Sequence, residues 1–82
     1  MNTTIMAIAL QSRNKFAPEL QEILTKHGCI IKMRLGLHET SKVLCEERGL
    51  ILLQLCGEKD EISVLIKDLS KIDDIKVNTM NI

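Results

Sequence analysis

The chain has 82 residues, one aromatic side chain (Phe16), and 11 basic against 11 acidic residues, for a net charge of zero. A neutral chain has no general field to draw nucleic acid phosphates, and a single phenylalanine makes no platform for stacking bases, so direct nucleic acid binding is not expected. Eighty-two residues suit one domain, read here as residues 1–82, and a chain of this size buries only about 60–65% of its unfolded surface.

The first strand is expected over Thr3–Gln11. Ile5–Leu10 is an unbroken apolar run, as in a strand covered on both faces. Ser12–Lys15 is a polar turn, with Asn14 placed as a helix cap. Leu20, Ile23 and Leu24 recur at helical spacing, so the first helix is expected over Lys15–His27. Pro18 would fall in its first turn, and Gly28 would supply a left-handed stop.

Cys29–His38 alternates cleanly. Cys29, Ile31, Met33, Leu35 and Leu37 share one face; Ile30, Lys32, Arg34, Gly36 and His38 share the other. Glu39–Arg48 is polar and long for a hairpin connection. Gly49 opens a second nearly continuous apolar run, Leu50–Cys56, which Gly57 ends. Ile62, Leu65, Ile66, Leu69 and Ile72 then form one helical stripe, with Asp60 and Glu61 early and Lys67 and Lys71 late, as the helix dipole favours. Asp73-Asp74 makes a turn, and Ile75–Met80 is the last strand.

The order is the same unit twice: strand, helix, strand, then strand, helix, strand. It predicts an α+β, ferredoxin-like βαββαβ sandwich, a four-stranded antiparallel sheet with two helices on one face. Strands one and three are then central, and they are the runs apolar on both faces. Helices cover only one face, so the other is expected to be covered by a second copy, with Leu52 and Leu53 at the contact.

Three constellations could carry chemistry. Arg34, Gly36 and His38, followed by Glu39, could hold an anionic small molecule. Arg34 offers a fixed positive fork, Gly36 permits close approach, and His38 can titrate or donate. The competing reading is a solvated strand face with a glycine that eases curvature. His38 with Cys45 is the alternative, a transition-metal sensor or carrier, which needs a third or fourth ligand. Cys29 and Cys56 fit small core positions, and His27 fits a helix end. Ser12–Lys15 could attract an anion or be an ordinary capped turn. No GxSxG, HExxH, P-loop or GxGxxG pattern occurs, so no catalytic residues and no cofactor are assigned. Three cysteines without CxxC spacing, no secretory leader and no apolar run near 18 residues lead to the expectation of a cytoplasmic protein with no membrane contact.

Gly28-Cys29-Ile30-Ile31, then Arg34-Leu35-Gly36-Leu37-His38-Glu39, Gly49–Gly57 and Ile75–Met80 resemble the iron-only hydrogenase system regulators. The similarity covers nearly the whole chain, and the Arg34–Glu39 stretch is its most specific part. That family is similar in fold to ACT domains and to the C-terminal domain of the nickel-responsive repressor. The resemblance implies a non-enzymatic domain that assembles through sheet faces or edges, binds a small effector and serves hydrogenase maturation or expression. The repressor's HxH pair and cysteine correspond here to Gly36, His38 and Gly49. Only His38 matches, so the resemblance does not carry over nickel ligation. It also implies that any DNA contact belongs to a partner protein.

Overall fold

The computed structural model describes residues 3–11, 13–38 and 49–82, the side chains of residues 13–16, 37 and 38 excepted. The elements are β1 (Thr4–Leu10), α1 (Arg13–Lys26), a short 3-10 turn (Gly28–Ile30), β2 (Ile31–His38), β3 (Gly49–Leu55), α2 (Lys59–Leu69) and β4 (Ile75–Asn81). The sheet is fully antiparallel in the order β2-β3-β1-β4, so β1 and β3 are central. This is the βαββαβ architecture that the hydrophobic pattern predicts.

The register sorts every strand residue to a face. Met6 lies opposite Leu53 and Thr79, and Ile8 opposite Ile51 and Val77. These rows face the helices, because directly paired residues share a side of the sheet. Met6, Ile8, Leu10, Leu53 and Leu55 close the core with Leu20 and Leu24 of α1, Leu65 and Leu69 of α2, and Ile72 just beyond it. Leu53 is therefore a core residue, not a second-face contact. Its neighbour Leu52 sits on the open side, paired with Ala7 and Leu35.

Several local expectations need correction. α1 starts at Arg13, so Asn14 lies inside the helix instead of capping it, and Pro18 falls beyond the first turn. There its missing N–H leaves the Asn14 carbonyl without the usual amide partner. Gly28 does not adopt a left-handed conformation. The chain instead tightens into the 3-10 turn, where Ile30 N donates to the His27 carbonyl at 3.1 Å. That turn takes Cys29 and Ile30 out of the strand alternation and drops Ile30 into the core. A register shift between Ile31 and Met33 follows, and regular alternation resumes. Cys29 and Cys56 are exposed thiols, not core residues. At the tight turn before β4, the positive φ of 64° falls on Asp74, a residue type that tolerates the left-handed region.

The open face keeps its apolar character. Met33, Leu35, Leu50 and Met80 are exposed, and Ile5, Ala7, Ala9 and Leu52 lie half-buried among them.

Candidate functional site

The edge strand β2 carries the residues singled out in the sequence. Arg34 pairs with Leu53, Gly36 with Ile51 and His38 with Gly49, so all three positions lie on the helix side of the sheet. Because β2 is the outer strand, this row runs past the margin of the core. Arg34 is exposed and donates from Nη1 to Gln21 Oε1 on α1 at 2.7 Å. That bond leaves the rest of the guanidinium fork for another acceptor. A Cβ added at Gly36 would meet nothing within 4 Å. The space above Gly36 is open, as close approach of a ligand requires. His38 ends β2, and Glu39 and Cys45 lie outside the described residues. The structure thus brings Arg34, Gly36 and the His38 backbone into one row, while the His38–Cys45 pairing falls outside what is described. Among the described residues, no group of three or more His, Cys, Asp or Glu side chains is placed to hold a metal ion.

Of the polar stretch Ser12–Lys15, Arg13, Asn14 and Lys15 form the first turn of α1, and Ser12 lies outside the described residues.

A second polar constellation joins the two helices. Asp68 sits on the inner side of α2, with its side chain only 11% exposed. Its carboxylate accepts from His27 Nε2 at 2.7 Å, Lys26 Nζ at 3.1 Å and Lys71 Nζ at 3.5 Å. The hydrogen bonds from His27 and then Lys26 hold the Asp68 carboxyl well below the usual carboxylate range. His27 lies seven residues after Leu20, and Asp68 three after Leu65. Each is a polar residue at a core-facing position of its helix's stripe. That was the available signal, since buried polar groups on facing helices need each other as partners. A shallow cavity of about 350 Å³ opens beside the cluster, lined by Glu19, Glu22 and Ile23 as well as Lys26, Asp68 and Lys71.

A larger cleft, about 480 Å³, lies at the other end of the helix side. It is bounded by the start of β1, the end of β4 and the first turns of α2. No helix among the described residues is long and apolar enough to cross a membrane.

Similarity to known proteins agrees with this architecture. The uncharacterized protein TM1266 from Thermotoga maritima superposes with a TM-score of 0.82 at 24% identity, covering 98% of this chain and 95% of that one. CPII from Thiomonas intermedia K12, bound to ADP, AMP and acetate, gives a TM-score of 0.54 at 12% identity over 99% of this chain and 88% of that one. A formyltetrahydrofolate deformylase from Pseudomonas putida KT2440 gives 0.60 at 11% identity over 95% of this chain, but only 28% of that one. At these identities the likeness is one of fold. No curated protein matches the chain. A family model covering residues 2–79 does match, described as "TM1266-like: Iron-only hydrogenase system regulator, putative". The chain belongs to the TM1266-like family of iron-only hydrogenase system regulators.

Proposed function

We propose that the chain is a non-enzymatic, single-domain regulator of an iron-only hydrogenase system that works as a homo-oligomer in the cytoplasm. The observation that carries this reading, beside the family itself, is the open face of the sheet. Met33, Leu35, Leu50 and Met80 present a contiguous apolar surface across all four strands, with Ile5, Ala7, Ala9 and Leu52 between them. Such a face is costly in water and suits a second copy of itself related by a two-fold axis. The free, exposed thiols of Cys29 and Cys56 suit a reducing compartment.

The effector in this reading is a small anion held at the end of β2. Arg34 supplies the charge, Gly36 the room, and His38 and Glu39 the remaining polar contacts. CPII, described as a nitrogen regulatory PII-like protein, binds small ligands on a similar fold, which is support by analogy. Control of transcription would go through a partner that supplies the DNA contact, since the chain is neutral.

Native mass spectrometry of the wild type and of Leu35→Glu tests the assembly. The wild type should give an oligomer and the variant a monomer with unchanged circular dichroism. An oligomer of the same mass in both would remove the sheet face from the reading.

A further inference from the structure

Along β1 and β4 the pairs on the helix side change character. Leu10 with Ile75 and Ile8 with Val77 are aliphatic; Met6 with Thr79 is mixed; Thr4 with Asn81 is wholly polar. The core therefore stops short of this end, and the space beneath the start of α2 becomes the cleft of about 480 Å³, a size within the range of small-molecule sites.

Its walls are fixed. Ile82 N donates to the Thr3 carbonyl at 2.8 Å, tying the end of the chain to the start of β1. Thr4 Oγ1 donates to Asn81 Oδ1 at 2.9 Å, which orients the amide and leaves its NH2 group as donor. On the opposite wall, a Cβ at Gly57 would lie 2.6 Å from Ile30 Cγ2, so the turn into α2 is pressed against the core. Cys56 N also donates to the Ile30 carbonyl at 2.9 Å.

The lining chemistry is specific. Thr3, Thr79 and Ser63 contribute hydroxyls, Asn81 an amide, Ile62 an apolar floor, and Lys59 a positive charge with the Glu58 carboxylate next to it. The positive end of α2 is already partly satisfied from within. The Glu58 side chain accepts from the backbone of Glu61, and Glu58 N donates to Glu61 Oε1 at 2.9 Å. Next to Glu58 and Glu61, a doubly charged phosphate meets about twice the repulsion that a singly charged carboxylate does, and the Glu58 and Glu61 amides are taken. A ligand with one negative charge for Lys59 and hydroxyls for the threonine, serine and asparagine groups fits instead.

We infer that this cleft is a second ligand site, separate from the β2 edge, and that it takes a short hydroxylated monocarboxylate.

The test is an amide NMR titration of the full chain with glycerate, glycerol and inorganic phosphate as probes. Glycerate should give saturable shifts at Thr3, Ser63, Thr79 and Asn81. Glycerol and phosphate should act there at least about tenfold more weakly, since each lacks one half of the recognition. Ser63→Leu, on an exposed position of α2, should abolish the glycerate shifts with the fold intact. Thr79→Val is the second variant, should Ser63→Leu unfold. Absence of saturable shifts overturns the inference, as does an equal response to phosphate at these residues. Shifts centred on Arg34 and Gly36 instead would overturn the cleft while favouring the effector site at the β2 edge.

Discussion

Asp68 of α2 accepts a hydrogen bond from His27 at the end of α1, 2.7 Å away and 41 residues distant in sequence. The two side chains are equally shielded, each 11% exposed, and they join the helices where the apolar stripes would otherwise be interrupted. The carboxyl is held below its ordinary value of 3.8 by His27, then by Lys26. A depressed carboxylate contributes stability that is fully present above the unfolded value and lost as pH falls toward the folded one. Thermal unfolding of the wild type should therefore be flat, as far as Asp68 is concerned, from neutrality down to about pH 5, and should fall steeply below about pH 4. Asp68→Asn should lower the melting temperature by several degrees at neutral pH and flatten the acid limb. Parallel acid limbs in the two proteins would show that other carboxylates govern it.

Gly57 contrasts with two of the glycines upstream of it, Gly28 and Gly36. A methyl group at Gly57 would lie 2.6 Å from Ile30 Cγ2 and 3.0 Å from Ile30 Cβ, in a side chain that is 6% exposed. Gly57→Ala should cost about 1–3 kcal/mol, because Ile30 has no free space to retreat into. At Gly28 and Gly36 a Cβ meets nothing within 4 Å, and neither has positive φ. Gly28→Ala and Gly36→Ala should be neutral or stabilising by about 0.4–1 kcal/mol, through the unfolded chain. Urea unfolding of the three variants checks the ranking; a large loss at Gly36 would mean that the strand needs glycine for a reason other than space.

How much of this was legible before the fold was known depends on the range of the signal. Ile5–Leu10 and Leu50–Cys56 announce central strands, because near-continuous apolar runs of this length suit strands with apolar residues on both faces of the sheet. Their placement as β1 and β3 in the middle of the sheet followed. The end of α1 was not legible: Gly28 looks like a helix stop, yet the chain uses it to enter a 3-10 turn that swings Ile30 inward and Cys29 outward. Which side of a doubly apolar strand faces the helices is equally hidden, since Leu52 and Leu53 are identical in kind. Only the register against Met6 separates them. The Arg34, Gly36, His38 row follows from period-two alternation alone, whereas spacing marks His27 and Asp68 only singly, as polar residues on apolar stripes, and their pairing across two helices shows only in the fold.

Arg34 offers a clean separation of binding from stability. It is exposed, and its bond to Gln21 spans two exposed side chains. Arg34→Ala should change stability by no more than about 0.5 kcal/mol. If the β2 edge holds an anion, the same change should lower the affinity for inorganic phosphate by about tenfold or more, the scale of a lost charge-assisted hydrogen bond. Arg34→Lys should restore only part of it, since a point charge lacks the planar fork. Isothermal titration of the three proteins gives the answer, and equal affinities would move the anion site away from Arg34.

Leu52 and Leu53 are neighbours with opposite duties, and that difference tests the two faces together. Leu53 is 1% exposed among Met6, Leu55 and the helices. Leu53→Gln buries an amide where no partner awaits it and should cost about 3 kcal/mol or more. Leu52 lies on the open face opposite Ala7 and Leu35. Leu52→Gln should leave the dilute monomer's unfolding within about 1 kcal/mol of wild type. If the open face is the contact between copies, Leu52→Gln should still shift the sedimentation coefficient toward monomer, because a polar group placed at a dry interface loses water without gaining a partner. The expected outcome is a double dissociation: Leu53→Gln lowers the melting temperature whatever the concentration, whereas Leu52→Gln lowers it only where the wild type is assembled. A Leu52→Gln protein that sediments as the wild type does would assign assembly to the outer strands β2 and β4, the edges of the sheet among the described residues.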